Sequence, residues 1–221
     1  FSVVCSRANP FDGYFSLTCR MNFLGHLYFS DNNIPLMYAN RYGDFVKGSD
    51  LDHLSPKIKM GVLLHRKIDH YIDHHPGVVD LMQLLYPQLP KVTGIAIDLF
   101  FDHLLAKNWA RFHDRKYAQF LDDFYAYSIE GNSNYSNEFK SFCAILKSSN
   151  WMIHYPSSYG LRKMCEGVST RISFPNELHR APSIYYQFES EIETTFFSFM
   201  KDAQSHFQQI RLDLGRQLLD E

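Results

Sequence analysis

Residues 56–76 read PKIKMGVLLHRKIDHYIDHHP, and this stretch decides the fold class. Ile58, Val62, Ile68, Tyr71 and Ile72 recur at three- and four-residue steps, the period of one helix face. Pro56 and Pro76 are punctuation, since proline suits the first turn of a helix and stops a preceding one. The pattern predicts a helix over 58–75. Polar residues interrupt its apolar stripe. His65 is three past Val62 and seven past Ile58, and Asp69 and Asp73 follow at successive four-residue steps. One face therefore projects an imidazole and two carboxylates. An ionised carboxylate is costly to bury unless it is paired or holds a metal.

Outward from this helix the same period returns. In 91–110, Val92, Ile95, Ala96, Leu99 and Ala106 form a second stripe, behind Pro87 and Pro90. Asp98 is three past Ile95, Asp102 is three past Leu99, and His103 follows at once. Further amphipathic helices are expected over 116–130, 137–149, near 160–171 and over about 183–219, separated by the polar loop GNSNYSN and the turn HYPSSYG. Strand-like alternation is absent over any useful length. The expectation is one all-α domain, a helical bundle over 21–221, without internal repeats or a linker. Residues 1–20, FSVVCSRANPFDGYFSLTCR, show neither period and no signal-peptide pattern, and read as a non-native or disordered extension ahead of Met21.

Composition sets limits. The 221 residues are 45% hydrophobic and 21% charged with only 11 Gly and 9 Pro, which excludes a disordered or low-complexity chain. A net charge of −2 argues against a general nucleic-acid binder. No run approaches the roughly 18 apolar residues of a membrane span. The 4 Cys show neither CxxC spacing nor a disulfide framework, so a reduced cytoplasm is the expected setting. The 19 Phe and 14 Tyr read as core, but 11 His call for a search for clusters.

Two helices that each carry carboxylate and imidazole can jointly build a site of oxygen and nitrogen ligands, suited to Mn²⁺, Mg²⁺ or Fe²⁺ rather than thiolate-bound zinc. A single His/Asp pair at i,i+4 is more often an ordinary hydrogen bond. His70, His74 and His75 read as solvated or helix-terminal, where cations suit the macrodipole, and Asp73 as a surface residue. Two segments can complete the site. Asp44, in NRYGDFVKG, is either the cap of the next helix or a loop ligand. His26, in NFLGHLYFS, is either a hydrogen-bonded core histidine or a site residue.

In order and spacing, MNFLGHLYFS, GDFVKG, LLHRKIDHYIDHHP and IAIDLFFDHLLAKNW resemble the acyl carrier protein phosphodiesterases, from Met21 to about residue 205. EGVSTRIS is similar to the family's Gly-x-x-x-Arg stretch through Gly167 and Arg171. The resemblance implies a distorted relative of the HD-type phosphohydrolase fold and manganese-dependent removal of 4′-phosphopantetheine from holo-acyl carrier protein. It carries the motif positions onto Asp44, His65, Asp69, Asp98, Asp102 and His103, with His26 matching the amino-terminal histidine. The expected metal ligands are Asp44, His65, Asp69 and Asp102. Asp98, His103 and Asp69 are the expected acid/base or orienting groups, and Arg66, Arg171 and His26 the expected substrate contacts. The Asp102-His103 order reverses that of HD enzymes. An acidic carrier protein would dock on a basic rim, for which Lys57, Lys59, Arg66 and Lys67, then Lys107, Arg111, Arg115 and Lys116, are candidates. The competing readings are a small-molecule phosphohydrolase and a non-catalytic carrier-binding module.

Overall fold

The computed structural model describes residues 23–217, so the extension read at residues 1–20 lies outside the described residues. Among the described residues ten α-helices follow one another: α1 Phe23–Phe29, α2 Ile34–Tyr42, α3 Pro56–His74, α4 Pro76–Leu85, α5 Thr93–Lys107, α6 Tyr117–Ala126, α7 Asn137–Ser149, α8 Ser158–Ser169, α9 Ala181–Gln187 and α10 Glu189–Gln217. Short 3₁₀ turns at Gly43–Phe45, Trp109–Arg111, Trp151–His154 and Leu178–Arg180 join some of them. No strand occurs among the described residues. None of their helices is long and apolar enough to cross a membrane.

Local chemistry sets these boundaries. Asn33 caps α2, its side-chain oxygen accepting from the Leu36 amide at 3.1 Å. Ser136 caps α7 in the same way, and the helix ends on Asn150 in the left-handed region at φ 44°. At the α3–α4 junction Pro76 opens the new helix and holds His75 extended. The helix expected over 91–110 stops at Lys107 and tightens into the 3₁₀ turn at Trp109–Arg111. The long C-terminal helix is broken at Phe188, so α9 and α10 are separate. Helix α4 fills the stretch between Pro76 and Pro87, for which the sequence pattern set no expectation.

Helix α5 is buried almost all round, which marks it as the central element. Helix α10, about 44 Å long at the usual rise, packs along α1, α3, α4, α5 and α9. Its Phe196, Phe199 and Phe207 meet Phe29 and Phe101 in edge-on and tilted ring contacts. Among the described residues, helices α2 and α3 share the most extensive contact. Gly61 allows it: a Cβ there would stand 2.3 Å from the Ala39 Cβ and 2.6 Å from the Asn40 amide nitrogen. This close approach sets the end of α2 beside the middle of α3, and α1 packs against both α2 and α5.

Candidate metal centre

His26 of α1 and His65 and Asp69 of α3 converge, each offering one ligand atom within 4.8 Å of the others. The two imidazoles stack with centroids 4.3 Å apart. Asp69 lies across both: Oδ1 is 3.2 Å from His26 Nε2 and Oδ2 is 3.4 Å from His65 Nε2. Asp44, from the 3₁₀ turn after α2, brings Oδ1 to 3.2 Å from the same His65 nitrogen. The i,i+4 spacing aligns His65 with Asp69, as the period of α3 requires. The turn fits because Gly43 has no side chain; a Cβ there would fall 2.4–2.6 Å from the His65 ring and its Cβ.

The hydrogen bonds around His26 fix its tautomer. The Asn40 side-chain nitrogen donates to the His26 carbonyl at 3.1 Å and to Ser30 Oγ at 2.9 Å. Ser30 spends its own proton on the same carbonyl at 2.8 Å. Asn40 therefore presents its oxygen to His26 Nδ1, 2.9 Å away, and that nitrogen carries the proton. When the ring is neutral, its Nε2 lone pair faces the Asp69 carboxylate. Burial, and then the neighbouring His65, push the His26 pKa down to about 4, so the ring is neutral at physiological pH.

The carboxylates are ionised. Burial raises Asp69, but the imidazoles of His26 and His65 beside it outweigh that and hold its carboxyl below the usual range. Burial raises Asp44 as well, but the Arg41 guanidinium and His65 hold it far below the usual range. Arg41 is itself buried, donates from Nη2 to Asp44 Oδ2 at 2.5 Å, and lies over the Phe23 ring. A lone pair opposed to an anion is repulsive until a cation stands between them. Two imidazole nitrogens with two carboxylates are a donor set suited to a divalent transition metal. His65 Nδ1, also buried, meets no hydrogen-bond partner among the described residues.

Of the other expected site residues, Asp102, His103 and Arg66 are engaged away from this group. Asp102 does not join the group: it accepts the backbone N–H groups of Phe23, Leu24 and Gly25 at 2.6, 3.1 and 3.0 Å, capping α1 from α5. Burial pushes its carboxyl up to about 7, against the pull of those three amides and Arg41. His103, one residue on, points about 100° away around the helix. Its Nδ1 donates to the Tyr155 carbonyl at 2.7 Å, its ring meets Tyr185 edge-on, and burial lowers its pKa. Asp98 is half-buried one turn before Asp102. Arg66 donates to the carbonyls of Val46 and Gly48 at 3.4 and 2.6 Å, bracing the loop that follows Asp44. Arg171 is half-buried just past the end of α8. Of the second basic segment, Lys107 pairs with Glu189 and Glu193, and Arg115 with Asp123. Sequence reasoning missed Ser30, Asn40 and Arg41. The available signal was a polar Asn-Arg pair closing an apolar helix just ahead of Gly43-Asp44.

The profile of the acyl carrier protein phosphodiesterase family matches residues 21–203, a span that contains all four converging side chains. Three similar relatives bear the name acyl carrier protein phosphodiesterase. That of Photorhabdus laumondii is 28% identical over 152 residues, covering 68% of this chain and 77% of the relative. That of Yersinia pestis is 26% identical over 194 residues, covering 85% of this chain and all of the relative. That of Pectobacterium atrosepticum is 27% identical over 175 residues, covering 76% and 90%. No solved structure matches the chain. The match over most of the chain shows that it belongs to the acyl carrier protein phosphodiesterase family.

Proposed function

We propose that the chain hydrolyses the phosphodiester between 4′-phosphopantetheine and the serine of holo-acyl carrier protein, releasing the apo-carrier. One observation carries the metal-dependent part of this reading: His26, His65 and Asp69 offer ligand atoms within 4.8 Å of one another, and Asp44 adds an oxygen 3.2 Å from the same His65 nitrogen. His26, Asp44, His65 and Asp69 would hold the ion, with Mn²⁺ the first candidate and Mg²⁺ or Fe²⁺ the others. When bound, such an ion neutralises phosphate charge and lowers the pKa of a water from 15.7 towards about 7–9. Asn40 keeps His26 in the ligating tautomer, and Arg41 keeps Asp44 ionised and aimed.

Asp98, on the face of α5 that also carries Asp102, is the candidate proton donor to the departing serine oxygen. Lys107 and Arg115 are engaged by acids, and docking of the acidic carrier is assigned to Lys57 and Lys67, exposed on the helix that carries His65 and Asp69, with Arg111 and Lys116 as further candidates. The two described cysteines, Cys143 and Cys165, are free thiols, which suits a cytoplasmic setting. The HD-type kinship rests on the His and Asp borne together by α3.

The test is to incubate the protein with holo-acyl carrier protein and Mn²⁺ and weigh the carrier by mass spectrometry. Loss of the pantetheine arm, abolished by chelation, is expected. An unchanged carrier, with hydrolysis of small phosphodiesters, would overturn the substrate.

A further inference from the structure

We propose that Asp102 is a positioning residue of the metal centre, acting through the helix that carries His26; the inference rests on the function proposed above. Helix α1 has seven residues, too few to hold its own geometry. Its first N–H groups open into the core, where Phe23 and Leu24 are buried, and an uncapped helix start in such surroundings is costly. Asp102 takes the amides of Phe23, Leu24 and Gly25 in succession, through both carboxylate oxygens. His26 is the next residue.

The anchor is rigid. Asp102 sits on the 15-residue α5, buried from Thr93 through Ala106 at most positions. Fixing three consecutive amides fixes both the axial position and the rotation of α1. His26 Nε2 is thereby set against Asp69, which belongs to α3. Asn40 holds the same ring from the α2 side, so three helices determine where one nitrogen points. A rotation of α1 by a few tens of degrees would take Nε2 out of the group, because the imidazole projects well beyond the helix axis. Asp102 thus serves the site without facing it, which departs from the ligand role that its motif position implies.

The experiment follows His26 in the metal-free protein and Mn²⁺ binding separately. In Asp102→Asn and Asp102→Ala, ¹⁵N NMR of the metal-free protein should show His26 leaving the single Nδ1–H tautomer of the wild type. Mn²⁺ affinity should fall about tenfold or more in step with that change, the scale of losing an outer partner of a ligand. The asparagine variant keeps one acceptor oxygen and should retain more affinity than the alanine variant; it also carries the test if alanine prevents folding. A fall in Mn²⁺ affinity with unchanged His26 signals would make Asp102 a ligand in its own right and overturn the inference. Unchanged His26 signals with unchanged affinity, beside a lowered melting temperature, would reduce Asp102 to a purely structural cap and overturn it too. If the wild-type protein binds no Mn²⁺, the proposed function fails, and the His26 tautomer still decides whether Asp102 positions that ring.

Discussion

Helices α3 and α5 each interrupt an apolar stripe with histidine and aspartate, yet only α3 brings its pair to one target. His65 and Asp69 are one turn apart on one face, and both face the His26 ring. Asp102 and His103 are adjacent, so they point to different neighbours: the start of α1 on one side and the Tyr155 carbonyl on the other. The difference teaches that polar residues in a core share a task only when the helical period gives them a common direction. Adjacent ones act as separate clamps, and α5 works as the internal brace against which α1 and the turn before α8 are fixed.

The largest break in this comparison should come from α3. Asp69→Ala is expected to lower turnover of holo-carrier by at least about a hundredfold, beyond the cost of losing an outer partner, with helicity near wild type. Activity within tenfold of wild type in the mass-spectrometric assay would remove Asp69 from the site. Next comes a pH effect that separates the two helices. Burial raises Asp102 to about 7, so its contribution to stability is full below the unfolded carboxyl value and is lost as pH rises to about 7. His26, lowered to about 4, has the opposite sign, gaining stability as pH rises from about 4 to 6.5. In the metal-free wild type the two slopes oppose each other. Asp102→Asn removes the downward Asp102 slope while the other groups whose pKa the fold lowers, such as His103, keep theirs, so denaturant unfolding should show stability rising more steeply across that window than in the wild type. A profile no steeper than that of the wild type would contradict the raised Asp102 carboxyl.

His103→Ala is expected to cost about 1–3 kcal/mol, because it leaves the buried Tyr155 carbonyl without its donor. Turnover per folded molecule should stay close to wild type, and a collapse of kcat at unchanged stability would return His103 to the active site. The smallest effect tests the α3 side again. Gly43→Ala must displace the His65 ring, and Mn²⁺ affinity measured by calorimetry should fall about tenfold. Unchanged affinity would mean that the turn can move away without disturbing His65.

The all-α class and the His65–Asp69 pair were legible because both rest on period, which one sequence displays directly. Asp44 was legible as a turn residue with two possible roles. The backbone partners of Asp102 were not legible because they lie 77–79 residues away, and nothing in IDLFFDH points to them. The orientation of the His26 ring was not legible because its tautomer depends on Asn40, whose position follows from the Gly61 contact between α2 and α3. The break at Phe188 was hidden because the apolar residues keep nearly one period across it.

Arg41, buried over Phe23 with one nitrogen on Asp44, determines the charge balance of the pocket. Two ionised carboxylates and one fixed guanidinium leave a net charge of −1 when both imidazoles serve as neutral ligands. A divalent ion then turns the pocket to +1, equal and opposite to a single phosphodiester. Without the arginine the loaded pocket would be neutral and hold no net attraction for that anion; with it, phosphodiester binding depends on the ion being present.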